Sequence, residues 1–119
     1  MNHIPPDDLV AKLILRGIHL ELTAALRAGA TEKAGRLLRH NHEIVRIRID
    51  LELDKTREVG HRFIAKGHIE IGGPDLVASV TSEDGYKSLD LLVDKLDELL
   101  RRRHGLRKNE RHAPPPAAE

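Results

Sequence analysis

Between Val45 and Leu53 apolar and charged residues alternate without a break. Val45, Ile47, Ile49, Leu51 and Leu53 are separated by Arg46, Arg48, Asp50 and Glu52. Successive side chains of an extended chain point to opposite faces, so this period of two predicts a strand over 43–54 with one buried and one wet face. The pattern returns at Phe63, Ala65, Gly67, Ile69 and Ile71, which predicts a strand over 61–71. The charged loop "KTREVG" joins the two as a hairpin. Gly72-Gly73-Pro74 then reads as a turn into a further strand, "DLVASVT" (75–81), and "AKLILRGI" (11–18) reads as the first strand of the chain.

Two stretches carry helical spacing instead. In residues 21–41, Leu26, Ala30, Ala34, Leu37 and Leu38 fall on one face, with Thr23 as the expected N-cap. Gly29 and Gly35 each cost about 1 kcal/mol against alanine inside a helix, which points to tight packing against the sheet or a slightly weak helix. In residues 82–103, Tyr86, Leu89, Leu92, Val93, Leu96, Leu99 and Leu100 form one apolar stripe. Ser82 is the expected N-cap, Glu83 and Asp84 suit the positive end of the helix dipole, and Gly105 is expected to end or fray the helix.

The order is therefore β-α-β-β-β-α, which predicts an α+β two-layer sandwich: a four-stranded sheet with two helices on its apolar face and an open polar face. The expected domain spans 11–108, between a flexible lead-in (1–10, with Pro5 and Pro6) and a disordered proline-rich tail (109–119).

At 119 residues, 39% of them apolar and 33% charged, the chain has room for one modest core under a heavily charged surface. There is no cysteine, so disulfides and thiolate zinc sites are excluded. No stretch reaches the ~20 apolar residues of a membrane span, and "MNHIPPDDLV" does not read as a signal peptide, so the cytoplasm is the expected location. The net charge is only +1. Its distribution says more: residues 83–98 carry −4, residues 101–112 carry +5, and the remainder cancels. Phe63 and Tyr86 are the only aromatics, which argues against a platform for stacking single-stranded bases.

Several motifs dissolve on inspection. "HNH" at 40–42 spells a nuclease name, but two histidines so close at a helix exit, without converging carboxylates, make no metal site. Asp90, Asp94 and Asp97, with Lys87 and Lys95 nearby, read as an ion-paired helix surface rather than a catalytic pair. Gly72-Gly73-Pro74 opens no helix and is no phosphate loop. No metal site is expected.

Two blocks carry a family resemblance: "RGIHLELTAALR" near the start, and "DLVASVTSEDGYKSLDLLVDKLDELLRRR", in which Tyr86, Leu89, Asp90, Asp94, Lys95 and Leu96 precede a basic exit. Together they resemble the ribosome hibernation-promoting factor family (ribosome-associated translation inhibitor, S30AE) in its short form, over roughly residues 12–108. The chain departs from the family pattern at "LRHNHEI", at Glu98 and at Gly105. The resemblance implies a fold similar to double-stranded RNA-binding domains. It also implies a non-enzymatic protein that occupies the mRNA/tRNA channel of the small ribosomal subunit and inhibits translation in stationary phase or stress. No cofactor, no small-molecule substrate and no membrane partner is implied, and a monomer is expected off the ribosome.

Arg101, Arg102, Arg103, Arg107 and Lys108 exceed what a helix dipole calls for, since one or two cations suffice there. With the resemblance, they become candidate contacts to rRNA phosphate. Arg27, Lys33, Arg36, Lys87 and Lys95 complete the candidate RNA-binding set. Lys33 lies beside Leu26 and Leu37 in helical projection, so it either snorkels past the core edge or reaches RNA. Arg46 and Arg48 share the open sheet face with Asp50, Glu52, Lys66, His68 and Glu70, where cross-strand ion pairs account for them. Two other functions compete: a generic double-stranded RNA-binding adaptor, and a protein-interaction modulator of a sigma factor.

Overall fold

The structure, a computed structural model, describes the backbone of residues 11–112 and the side chains of residues 11–105. The order is β1 (Leu13–Ile18), α1 (Ala24–His40), β2 (Ile44–Leu53), a 3-10 turn (Val59–His61), β3 (Phe63–Ile71), β4 (Leu76–Ser82) and α2 (Gly85–His112). The strands lie in the sheet order β1-β2-β3-β4. β1 runs parallel to β2 across the α1 crossover, and the remaining pairs are antiparallel. The α+β two-layer sandwich read from the sequence is the observed fold.

The alternation of β2 and β3 builds the core floor. Ile47, Ile49 and Leu51 face Ile69, Gly67 and Ala65 in register, and all the apolar members of this set are at most 1% exposed. α1 covers them with Leu26, Ala30, Ala34, Leu37 and Leu38, and α2 with Leu89, Leu92, Val93, Leu96 and Leu100. α2 lies over β3 and β4. It sits so close that a Cβ built on Gly67 would be 2.8 Å from Leu96 Cδ1 and 3.2 Å from Leu92 Cδ1. Thr23 caps α1 as expected, its Oγ1 accepting from Leu26 N at 3.1 Å.

Several local expectations are corrected. At the start of β2 the register slips between Ile44 and Arg46. The extra residue of this bulge turns Val45 outward, 57% exposed, and sends Ile44 into the core at 1%. β1 begins at Leu13, two residues later than expected. β3 begins at Phe63, two residues later than the alternation suggests, because His61 belongs to the 3-10 turn.

The N-cap of α2 is Asp84, not Ser82: Asp84 Oδ2 accepts from Lys87 N at 2.9 Å. Ser82 closes β4 and is buried, 2.6 Å from Ser88 Oγ. Ser88 Oγ also lies 2.7 Å from the Phe63 carbonyl, to which it donates. Gly85 and Ser88, small enough for the helix to close on Phe63, fill the first turn of the buried face. Tyr86 is thereby left 47% exposed rather than in the stripe.

Gly105 does not end α2, which continues to His112. One interior glycine costs only about 1 kcal/mol, and its neighbours on both sides are good helix formers. The helix thus passes the expected domain edge at 108 and includes residues 109–112 of the segment read as tail. The lead-in at 1–10 and residues 113–119 lie outside the described residues.

Candidate nucleic-acid interface

α1 and α2 lie side by side on the sheet and present their outer faces away from it. Between them runs a groove of about 460 Å³, lined on the α1 side by Lys33, Arg36, Leu37, His40 and Asn41, and on the α2 side by Val93, Asp94, Asp97, Leu100, Arg101 and His104. Three members of the candidate set, Lys33, Arg36 and Arg101, therefore meet in one place. Asn41 holds the corner by donating from Nδ2 to the Leu37 carbonyl at 2.8 Å, which satisfies one of the free carbonyls at the α1 terminus. His40, Asn41 and His104 were not in the candidate set. Neither histidine stands out in the sequence as a binding residue, and their place in a groove follows from the packing of two helices.

Lys33 neither snorkels freely nor stands clear: its Nζ is 2.6 Å from Asp90 Oδ1 on α2. Arg27 and Arg36 on α1 and Lys95 on α2 are exposed and have no ion pair among the described residues. Lys87 pairs with Glu83 at 3.2 Å, Arg101 with Asp97 at 3.1 Å, and Arg102 with Glu98 at 3.1 Å. Each of these three is an i,i+4 pair with the acid on the N-terminal side, the better orientation on a helix. The Glu83 carboxyl is held below its usual range, first by its own backbone amide and then by Lys87. Helical spacing sets Lys87, Lys95 and Arg102 on a line of α2 beside the groove line of Asp90, Asp94, Asp97 and Arg101.

Arg103 is placed differently from its neighbours. It donates to the Gly72 carbonyl in the β3–β4 turn, lies 3.9 Å from Glu43, and its side chain is 16% exposed against 80% for Arg101 and 70% for Arg102. His104 approaches the same Glu43 carboxylate at 3.5 Å. Arg107 and Lys108 lie on the last turns of α2, and their side chains are outside the described residues.

The open sheet face behaves as its alternation predicted. Arg46 and Arg48 share Glu70 at 3.4 and 3.7 Å. Arg16, which the pattern of β1 did not single out, makes two bonds of 2.9 Å to Asp50. That contact lowers the Asp50 carboxyl below its usual range against the opposing effect of burial. The sheet-face arginines Arg16, Arg46 and Arg48 are each paired with a carboxylate, whereas Arg27, Arg36 and Lys95 on the helices have no such partner among the described residues. Among the described residues no three His, Asp or Glu side chains gather as a metal-binding group, and no helix is long and apolar enough to cross a membrane.

The sequence profile of the family described as "Sigma 54 modulation protein / S30EA ribosomal protein" matches residues 13–108. The chain belongs to this family. Among its S30EA relatives, the ribosome hibernation promoting factor of Azotobacter vinelandii is 33% identical over 86 residues, covering 72% of this chain and 76% of the relative. That of Escherichia coli K12 is 32% identical over 85 residues, covering 71% and 84%. Two solved structures share the fold. A ribosomal subunit interface protein from Coxiella burnetii has 25% identity and a TM-score of 0.65, covering 78% of this chain and 97% of that one. The N-terminal domain of Protein Y from Thermus thermophilus has 26% identity and a TM-score of 0.62, covering 74% and 92%. The S30EA match spans every strand, both helices as far as Lys108, and the whole groove.

Proposed function

We propose that this protein is a ribosome hibernation factor. It binds the small ribosomal subunit in the mRNA/tRNA channel and inhibits translation in stationary phase or stress by occupying that channel. Two of the relatives named above are ribosome hibernation promoting factors by name, a third is a ribosomal subunit interface protein, and the S30EA match covers residues 13–108. The observation that carries the reading on this chain is the cationic end of α2. There Arg101 and Arg102 stand exposed beside a groove that also holds Lys33 and Arg36. Arg107 and Lys108 follow on the same helix.

RNA helices are met through shape, 2′-hydroxyls and phosphates. Rigid arginines on a helix suit the last of these, and a surface with one exposed aromatic, Tyr86, suits the first better than base stacking. In this reading the protein uses no cofactor and breaks no bond: a folded unit in the path of mRNA and tRNA is sufficient. It acts in the cytoplasm, as a monomer until it meets the ribosome.

Co-sedimentation with purified small subunits across a salt series tests the proposal. Binding is expected at low salt and should weaken steeply as salt rises, because each neutralised phosphate releases condensed counterions. Arg101→Ala/Arg102→Ala should bind several-fold more weakly with unchanged folding. Unchanged co-sedimentation of that variant would refute the RNA-facing assignment. Equal affinity for free duplex RNA and for subunits would point to a generic RNA-binding adaptor. Salt-independent binding to a protein partner would point to a sigma-factor modulator.

A further inference from the structure

Four of the candidate cations on the helical face are already paired with carboxylates. Arg101 and Arg102 each carry a carboxylate from the preceding turn of α2, Lys87 carries Glu83 from just before the helix, and Lys33 carries Asp90 across the helix pair. Three of the four acids belong to α2. The arrangement is densest where the helix changes sign: Asp97 and Glu98 stand one turn before Arg101 and Arg102, each pair at 3.1 Å. We infer that Asp97 and Glu98 act as internal competitors of phosphate: they occupy Arg101 and Arg102 in the free protein and hold down the affinity of this end of α2 for RNA that offers charge alone.

The inference rests on the functional reading above, and its physical content is an exchange of partners. In the free protein each guanidinium is already engaged with a carboxylate. A phosphate must replace that carboxylate, and it must do so with the acid still one helical turn away. The exchange is cheap, because the arginine side chains are 80% and 70% exposed and an i,i+4 surface pair is worth little. The cost falls on every polyanion. Non-specific binding draws essentially all of its free energy from phosphate contacts, so a small cost per contact weakens it several-fold at physiological salt. A folded RNA site that also fits the groove and the two helices by shape has other contributions to draw on. The same cost therefore leaves a tightly held shaped target bound while it lowers occupancy by weakly held RNA.

The test compares wild type, Asp97→Asn/Glu98→Gln and a charge-matched control, Glu52→Gln/Glu58→Gln, whose acids lie on the sheet side and in the β2–β3 loop. Each is titrated with a short RNA duplex and, separately, with purified small subunits, over a salt series. The Asp97→Asn/Glu98→Gln variant should bind duplex RNA roughly fourfold more tightly or better, each helix-surface pair being worth about a factor of two. Its salt dependence should steepen by about one to two counterions. The control should stay near wild type. In an Arg101→Ala/Arg102→Ala background the same two substitutions should be silent.

Three results would overturn the inference: no tightening, equal tightening by the control, or full tightening without the arginines. The first would show the acids inert, and the other two would show net charge acting at a distance. Failure of every chain to bind duplex RNA at low salt overturns it as well. Should subunit binding be absent while the duplex results come out as expected, the ribosomal reading fails and the competition between carboxylate and phosphate stands.

Discussion

Arg103 of α2 donates to the carbonyl oxygen of Gly72 in the turn between β3 and β4. The contact comes one turn after Leu100, the last buried apolar residue of the helix among the described residues, and Gly73 beside it adopts φ +90. It ties the cationic end of α2 to the sheet where apolar packing stops. Arg103→Ala should destabilise the protein by about 1–2 kcal/mol, typical of a hydrogen bond to a charged group at a partly exposed site. Residues 104–112 should lose amide exchange protection. Arg103→Lys should lose much of the same protection, since an ammonium lacks the planar fork that reaches both Gly72 and Glu43. Wild-type exchange in the alanine variant would show that the tether does not hold the helix.

Leu96 and Gly67 occupy one space. Leu96→Ala should cost about 2–5 kcal/mol, as buried leucines do. Gly67→Ala should cost about 1–3 kcal/mol by overpacking, because its methyl would meet Leu96 Cδ1 at 2.8 Å. The two changes should not add: with Leu96 truncated, the new methyl enters the vacated volume. Denaturant unfolding of both single variants and the double variant measures the coupling. Additivity within about 0.5 kcal/mol would mean that α2 does not sit over Gly67 as described.

Asp50 ties stability to pH. Its carboxyl is held below the usual range, chiefly by the Arg16 hydrogen bonds and further by the charges of Arg16, Arg48 and Lys66. A depressed folded-state value means the stabilisation is complete above the ordinary carboxylate range and is lost as pH falls through the folded value. Asp50→Asn should therefore melt lower than wild type at neutral pH, with the difference shrinking as pH drops below about 4. A difference that stays constant over that range would remove the ion pair as its cause.

His19 holds φ 54 in the turn that leaves β1, a left-handed conformation that disfavours a residue with a Cβ. His19→Gly should raise stability by up to about 1 kcal/mol. In the same turn a Cβ on Gly17 would collide with the Leu20 carbonyl oxygen, so Gly17→Ala should be strongly destabilising. Thermal melts of the two variants should move in opposite directions, and a lower melting temperature for His19→Gly would show that its imidazole makes a compensating contact.

Much of the fold was legible one segment at a time. The alternation from Ile47 to Leu53, the i, i+4 recurrence of Leu26, Ala30 and Ala34, and the Thr23 cap are properties of a few neighbouring residues, and the structure keeps them. The misreadings share a cause. Val45 turns outward because a bulge adds a residue to one strand, a feature of the pair rather than of β2. Tyr86 was placed in the core because apolar character was taken for burial, whereas Ser88 is buried through its bond to Phe63. Ser82 resembles an N-cap in sequence, yet β4 keeps it and Asp84 takes the role.

The candidate site divides along the same line. That α2 turns from acidic to basic after Glu98 can be read from composition, and the i,i+4 acids before Arg101 and Arg102 from helical spacing. These depend on the backbone period alone, which is common to all helices. That three adjacent arginines have different partners, with Arg103 on a turn 31 residues away and Arg101 in a groove with Lys33 and Arg36, depends on where α2 lies on the sheet. So does the pairing of Lys33 with Asp90. Side-chain reach is a few ångströms, and which charges fall within it is set by how closely two helices pack over one sheet.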